Sequence, residues 1–221
     1  TLDFFKFYPT IDEKLAEKNV LSALGTTTLD RKIVSEIQPE QHKNVVLISI
    51  ESLSADFMSF YGNRDKITPF LDSLAQQSLL FTNLYATGNR TVRGLEALTL
   101  CIPPTAGESI IKRESENKNK FTTGNIFKSK GYTTKFLYGG YSYFDNMKDF
   151  FGGNGYQIVD RDNFKPEEIT FANVWGVCDE DMAKKATSEM NKDAKPGKPF
   201  FHHWMTVSNH RPYTYPEGKI D

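Results

Sequence analysis

A short apolar run that ends in a carboxylate constrains the fold of this 221-residue chain more than any other feature. Six of the seven residues from Val45 to Glu51 are apolar or small, and several are β-branched. Such a run predicts a strand that is buried on both faces, as in a parallel sheet. Ligands of open α/β sheets bind beyond the carboxyl ends of the strands, so Glu51 is a candidate site residue. Taken alone, the pattern also fits a carboxylate that leaves the core for solvent.

Composition excludes several classes of protein. The length suffices for one large α/β domain with a sizeable core. A net charge of -1 gives no support for non-specific binding to nucleic acid, and 17 Phe and 10 Tyr argue against disorder. No run reaches the roughly 18 apolar residues of a membrane span. Two cysteines, Cys101 and Cys178, are too few for a disulfide framework, and we expect both to be free thiols.

Strand and helix patterns alternate along most of the chain. The predicted strands span 45–50, 79–86, 133–138, 157–159 and 199–207. Helices are predicted over 69–75, 91–100, 125–130, 146–151 and 179–192. This alternation predicts an α/β fold with a mainly parallel sheet sandwiched by helices. Residues 1–43 are predicted to form an N-terminal helical arm or linker, and the main domain spans 44–221.

Polar side chains follow several of the predicted strands, and the carboxyl ends of parallel strands meet at one edge of a sheet. The candidates are Glu51, Thr91, Tyr141, Tyr143, Asn146, Ser208, Asn209 and His210. We expect them to converge on one site.

Thr91 stands where a helix is predicted to begin, and helix N-termini bind anions. A threonine hydroxyl is a weak nucleophile that needs a base or a metal ion, and Glu51 can supply one oxygen ligand for that metal. Arg90 and Arg93 flank the hydroxyl and can neutralise phosphate charge. The alternative from the local pattern is that Thr91 is a plain N-cap.

Histidine and tryptophan residues have structural alternatives as well. His210 follows the last strand and precedes a proline turn, which also suits an ordinary surface loop. His202 and His203 lie on opposite faces of that strand, and we interpret them as core or rim residues. Trp175 precedes a helix, where it either walls a pocket or packs.

Seven segments resemble, in this order, the lipoteichoic acid synthase family, which includes phosphoglycerol transferases and belongs to the sulfatase and alkaline phosphatase superfamily. They are residues 44–52, 68–75, 81–86, 90–96, 136–140, 144–147 and 209–213. The resemblance implies an alkaline-phosphatase- or sulfatase-like fold, of which residues 44–221 are the N-terminal portion. It also implies the extracytoplasmic domain (periplasmic or cell surface) of an enzyme anchored to the cell membrane.

The resemblance further implies a covalent mechanism. A divalent metal, often manganese with magnesium or zinc as alternatives, is bound by Glu51 and Thr91. Thr91 attacks a phospholipid such as phosphatidylglycerol, and the glycerophosphate then passes to a hydroxyl of a glycan or polyol acceptor. His210 matches the histidine that contacts the head group. We predict that the substrate site also includes Arg93, Trp175, Tyr143 and Asn146.

Two departures from the family pattern leave alternatives open. The family tends to carry Phe-Trp-Asn-Arg where this chain has Tyr143 to Asn146, so phosphoethanolamine transfer or plain hydrolysis stays possible. The family also completes its metal site with an Asp-His pair, which does not occur in these 221 residues. We therefore expect the C-terminal part of the domain to be missing from this sequence. We expect this polypeptide by itself to bind metal weakly or not at all and to be inactive.

Other functions have weaker support. Sulfatases need a Cys or Ser in a Cys/Ser-x-Pro/Ala-x-Arg motif, whereas this chain has Thr91-Val92-Arg93-Gly94. A sulfatase or phosphodiesterase-type hydrolase is thus the second enzymatic hypothesis. The non-enzymatic alternative is a sensor domain that keeps the fold without catalysis.

Overall fold

The computed structural model describes residues 3–29 and 39–219, which fall into two compact units, Thr1–His42 and Lys43–Asp221. The first unit contains helices α1 (Phe4–Phe7) and α2 (Glu13–Leu24). Helix α2 ends at Gly25, whose φ of 62° is the left-handed conformation that glycine adopts at least cost. Residues 1–2 and 30–38 of the predicted N-terminal arm or linker lie outside the described residues. None of the described helices is both long and apolar enough to cross a membrane.

The second unit is built on a parallel sheet, which confirms the predicted α/β fold. Its strands are β1 (Val45–Ser49), β2 (Thr133–Tyr138), β3 (Gln157–Val159) and β4 (Phe200–Met205), in the spatial order β1-β4-β2-β3. The helices of this unit are α3 (Pro69–Gln76), α4 (Thr91–Leu100), α5 (Thr123–Ser129), α6 (Met147–Gly153) and α7 (Asp179–Asp193).

Side chains on the two faces of the sheet pack against different helices. One face joins the larger core, in which Phe136 of β2 stacks on Phe151 of α6 with ring centroids 3.7 Å apart. The other face, which includes Leu137, packs against Met182 of α7. His203 packs edge-on against Phe136, while the His202 imidazole binds a side chain of α7. The prediction that these two buried histidines face opposite sides is therefore confirmed.

The strand predicted over 79–86 is wrong, because this segment is irregular and pairs with none of the described strands. Its apolar residues resemble a strand in sequence, yet Leu79, Phe81, Leu84 and Tyr85 are between 66% and 84% exposed. Apolar composition without a neighbouring strand to pair with does not produce a ladder.

Strand β1 lies at one edge of the sheet and pairs on one side with β4. Val45 and Leu47 pack against the core. Val46 and Ile48 point to the other face and are 40% and 47% exposed. The prediction of a strand buried on both faces therefore holds for one face only among the described residues.

Candidate active site

A cleft opens where the parallel strands β1, β2 and β4 end, which is the edge at which open α/β sheets bind ligands. Its lining consists of Glu51, Thr91, Tyr138, Phe144, Asp145, Met147, Trp175, Met205, Thr206, Val207 and His210. The enclosed volume is about 20 Å³, which is room for one ion or water molecule. Four of the residues predicted from sequence thus share one cleft: Glu51, Thr91, Trp175 and His210.

One side-chain hydrogen bond in this cleft joins two residues that lie forty positions apart in the chain. The Thr91 hydroxyl donates a hydrogen bond to Glu51 Oε2 over 3.0 Å. Thr91 is the first residue of α4, whereas the N-cap is Arg90, which makes no side-chain capping bond. Thr91 is therefore not the plain N-cap that the local pattern allowed, and its hydroxyl faces a carboxylate instead.

The main chain of Glu51 is bound on both sides by residues that follow β4. Its N–H donates to Thr206 Oγ1 over 2.9 Å, and its carbonyl accepts from Asn209 Nδ2 over 3.0 Å. The carboxylate is further oriented by Ser52, whose hydroxyl donates to Oε1 over 3.0 Å. These bonds fix the main chain of Glu51 and orient its carboxylate.

The spacing of the Thr91 and Glu51 oxygens suits one hard divalent cation. Mg²⁺ and similar ions take octahedral oxygen ligands at about 2.1 Å, so neighbouring ligand oxygens are about 3 Å apart. The distance from Thr91 Oγ1 to Glu51 Oε2 is 3.0 Å. Across residues 3–29 and 39–219, however, no group of three or more His, Cys, Asp or Glu side chains could hold a metal ion. Thr91 and Glu51 thus suit two coordination positions of such an ion, and the remaining positions need other ligands.

An aromatic wall faces this polar pair. The rings of Trp175 and His210 lie 3.9 Å apart between centroids, and Phe144 packs edge-on against Trp175 at 5.8 Å. Trp175 reaches this position because its main chain passes close to the end of β2. A Cβ on Gly140 would lie only 2.4 Å from the Trp175 carbonyl oxygen, so only glycine fits there.

Asp145 adds a second carboxylate to the cleft. Its Oδ1 lies 3.1 Å from the Lys112 ammonium, and this hydrogen-bonded pair raises the pKa of Lys112, which keeps the ammonium charged. Asp145 and Asn146 adopt left-handed φ angles of 50° and 63°, which is uncommon for residues other than glycine. Strained backbone of this kind is often found at functional sites.

The carboxylates influence titratable groups around them. Burial raises the pKa of the Tyr138 phenol, and the negative charges of Glu51 and Asp145 raise it further. Burial also raises the pKa of Asp179, which accepts hydrogen bonds from the N–H groups of Val207 and Ser208, and Glu51 adds to this effect. The cleft therefore favours bound cations over additional negative charge.

Arg93 does not line the cleft. Its guanidinium donates to Glu96, which is fully buried, over 2.9 Å, and to the carbonyl of Gly107. The i,i+3 spacing of Arg93 and Glu96 was a sequence signal for this pair.

Tyr143 and Asn146 belong to the segment that carries Phe144 and Asp145, but their side chains are not among those that line the cleft. Tyr143 is 71% exposed and stacks on Tyr141 with centroids 5.6 Å apart. Asn146 is the N-cap residue of α6, although its side chain makes no capping bond.

Sequence reasoning missed several residues of the site. Asp145 and Phe144 lie between two residues that were predicted, and their positions in the same segment were the available signal. Thr206 directly follows β4, where a polar residue at a strand end could have been noted as Glu51 was. Asn209, in contrast, was among the candidates, and its side-chain amide donates to the Glu51 carbonyl.

Comparisons with known proteins concern the family and the fold of the chain. Residues 43–220 match the family model described as Sulfatase. The chain is similar to lipoteichoic acid synthase 2 of Bacillus subtilis strain 168, with 27% identity over 184 residues that cover 81% of this chain and 28% of the relative. It is also similar to the lipoteichoic acid synthase of Staphylococcus aureus strain USA300, with 24% identity over 214 residues, 92% of this chain and 32% of the relative. The chain thus spans about a third or less of these relatives.

Two solved structures share the fold. A protein in the alkaline phosphatase superfamily from Vibrio parahaemolyticus has a TM-score of 0.85 at 39% identity, over 98% of this chain and 54% of that one. The lipoteichoic acid synthase LtaP from Listeria monocytogenes has a TM-score of 0.72 at 19% identity, over 82% of this chain and 44% of that one. The second likeness shows the fold alone.

Proposed function

Because the chain belongs to the sulfatase family, we propose that it is part of a metal-dependent transferase of the lipoteichoic acid synthase type. The enzyme moves a glycerophosphate group from a phospholipid to an acceptor hydroxyl through a covalent intermediate on Thr91. The similarity to lipoteichoic acid synthases supports this choice of reaction. We infer that the full-length protein is anchored to the cell membrane, works outside the cytoplasm, and uses manganese or a related divalent ion.

Thr91 acts as the nucleophile. Its hydroxyl donates to Glu51 Oε2, so a carboxylate lies where the proton departs. Glu51 and Thr91 would hold a divalent cation between these two oxygens, and this ion would further activate the hydroxyl and stabilise negative charge on the phosphoryl oxygens. Thr91 Oγ1 bonds to phosphorus while the bond to the diacylglycerol oxygen breaks, and diacylglycerol leaves after taking up a proton.

A second displacement regenerates the enzyme. The acceptor hydroxyl attacks the phosphorus of glycerophosphoryl-Thr91, the bond from phosphorus to Oγ1 breaks, and Thr91 regains its proton. The N-terminus of α4, with its partial positive charge, lies beside the reacting group and favours its negative charge. The aromatic wall formed by Trp175, His210 and Phe144 excludes water from one side of the cleft.

The hydrogen bond between Thr91 and Glu51 is the single observation that carries this proposal. A hydroxyl that served only as a helix cap would face the N–H groups of its own helix. The Thr91 hydroxyl instead faces the carboxylate of Glu51, which follows β1, in a cleft that also holds His210.

A trapping experiment tests the proposal. The full-length protein is incubated with Mn²⁺ and phosphatidylglycerol, and its peptides are analysed by mass spectrometry for a glycerophosphoryl group on Thr91. Thr91→Ala should abolish both the adduct and the release of diacylglycerol. Thr187→Ala, which changes an exposed threonine of α7, serves as the control and should leave both unchanged.

The same experiment separates the alternative functions. Release of free glycerophosphate at an equal rate with and without an acceptor would indicate a hydrolase. Turnover that survives Thr91→Ala would contradict the threonine intermediate. If the wild-type protein forms no adduct and releases no diacylglycerol, both enzymatic hypotheses are excluded and the sensor hypothesis is favoured.

A further inference from the structure

The ring of His210 is held in one orientation by the main chain that follows it. Its Nδ1 lies 2.7 Å from the carbonyl oxygen of Arg211. A carbonyl oxygen only accepts hydrogen bonds, so Nδ1 must carry the hydrogen. In the neutral ring, Nε2 then presents a lone pair.

Nε2 is the ring nitrogen that remains for a ligand. None of the residues in 3–29 and 39–219 forms a hydrogen bond with it, and His210 lines the cleft that contains Glu51 and Thr91. A ligand that bonds to Nε2 must therefore donate a hydrogen.

Trp175 contacts both partners of the bond that orients this ring. Its indole N–H donates to the same Arg211 carbonyl, and its ring packs on the imidazole with centroids 3.9 Å apart. Trp175 is itself fixed, because its main-chain N–H donates to Asn173 Oδ1 over 2.9 Å and Phe144 packs against its ring. The indole thus holds the carbonyl and the imidazole at a fixed separation.

We propose that Trp175 is a positioning residue that keeps His210 in the Nδ1–H tautomer, so that Nε2 accepts a hydrogen bond from a hydroxyl of the donor lipid head group. Phosphoryl oxygens of the reacting phosphodiester only accept, and a bare Nε2 does not bind them. A glycerol hydroxyl donates and does bind. This inference rests on the proposed transferase function, but the tautomer is a property of the protein alone.

Nuclear magnetic resonance measures the tautomer directly. The full-length protein is labelled with ¹⁵N-histidine, and long-range proton–nitrogen correlations are recorded at a pH where the ring is neutral. The signals of His210 are identified by their loss in His210→Gln. We expect the shift pattern of a protonated Nδ1 and a bare Nε2, and the opposite pattern would overturn the proposal.

A pair of tryptophan variants tests the role of Trp175. Trp175→Phe keeps an aromatic ring but removes the indole N–H, and it should lower the population of the Nδ1–H tautomer. Trp204→Phe is the matched control, because Trp204 is the other tryptophan of the chain and packs on the opposite face of the sheet with α7. An unchanged tautomer population in Trp175→Phe would overturn the positioning role. If Trp175→Phe does not fold, the same measurement is made on Asn173→Ala, which removes the acceptor for the main-chain N–H of Trp175.

Kinetics test the consequence for specificity. Wild-type enzyme should prefer phosphatidylglycerol over phosphatidylpropanol, whose head group has no hydroxyl, by about tenfold or more in kcat/KM. Trp175→Phe should reduce this preference while Trp204→Phe retains it, and a preference that both variants share with wild type would contradict the proposal. Absence of turnover with either lipid in the wild-type protein would refute the transferase function while the tautomer result stays valid.

Discussion

At the scale of single residues, the carboxylate of Glu51 is the group that other parts of the site depend on. Its side chain binds the Thr91 hydroxyl, and its main chain is bound by Thr206 and Asn209. The sequence predicts Glu51 directly after a strand and Thr91 at the start of a helix. Both positions follow from the periodicity of apolar residues. The placement of Arg93 was not foreseen, because its partner Glu96 is a buried charge on the same helix and buried charges are rare.

Replacement of Glu51 by glutamine should remove most of the activity of the full-length enzyme. Glu51→Gln keeps the shape of the side chain but removes the charge that orients the Thr91 hydroxyl and that we propose to bind a cation. We expect kcat with phosphatidylglycerol to fall by about 10²- to 10³-fold. Glu180→Gln, at an exposed carboxylate that pairs with Lys219, is the control and should retain activity. A Glu51→Gln enzyme with the wild-type rate would show that the carboxylate is dispensable.

His203 should make the stability of the protein depend on pH. Complete burial lowers the pKa of His203 from 6.5 to about 4. As the pH falls, His203 therefore binds a proton near pH 6.5 in the unfolded chain but only near pH 4 in the folded chain. The contribution of neutral His203 to the free energy of unfolding is fully present above pH 6.5 and is lost as the pH falls towards 4. The total loss over this pH range is roughly 3 kcal/mol.

Urea unfolding checks this prediction. Between pH 7.5 and pH 5, the free energy of unfolding of the wild type should fall by about 2 kcal/mol more than that of His203→Gln. Burial also lowers the pKa of His202, but this residue is present in both proteins and its effect cancels. Equal pH dependence in the two proteins would show that His203 does not titrate in this way.

At the scale of elements, the agreement between prediction and structure depends on whether an element is paired. Strand β2 was predicted with its observed bounds, and helix α7 ends one residue beyond the prediction, because both combine a clear period with strong end signals. The segment 79–86 was predicted wrongly, since a run of apolar residues does not reveal whether another strand lies beside it. Strand order was equally hidden, because β1 and β4 are neighbours although they are about 150 residues apart in sequence.

Helix α7 is attached to the sheet by a buried ion cluster that the sequence did not reveal. The Lys135 ammonium of β2 lies 2.7 Å from Glu189 and 2.6 Å from Asp193, and His202 lies 2.9 Å from the same Asp193. Removal of the only lysine among these four residues would leave two carboxylates with less compensation for their burial.

Lys135→Met should therefore destabilise the protein by about 3 kcal/mol in urea unfolding. Lys192→Met provides the comparison, because Lys192 pairs with the same Glu189 but its side chain is 60% exposed. We expect it to cost less than about 1 kcal/mol. Similar losses in the two variants would contradict the claim that burial makes the Lys135 pair important.

At the scale of the whole molecule, the exposed edge and face of β1 should govern how the 221-residue polypeptide behaves in solution. Within residues 3–29 and 39–219 no strand pairs with the outer edge of β1, and an edge strand that also exposes Val46 and Ile48 is a template for pairing with another chain. We expect this polypeptide to self-associate at micromolar concentration, as measured by light scattering after size-exclusion chromatography. Ile48→Lys should reduce association, whereas Thr187→Lys on the exposed side of α7 should not. Strictly monomeric wild-type polypeptide would contradict this expectation.

Strand β4 lies between β1 and β2, and the residues that follow it bind Glu51 on one side and carry His210 on the other. Glu51 and His210 are consequently coupled through one strand, and any displacement of β4 moves both together. Under the proposed transferase function, divergence in head-group preference is therefore easiest in the segments 143–147 and 173–176, which border the cleft without supporting Glu51. Exchange of these two segments between relatives offers a route to altered selectivity that leaves Glu51 and Thr91 in place.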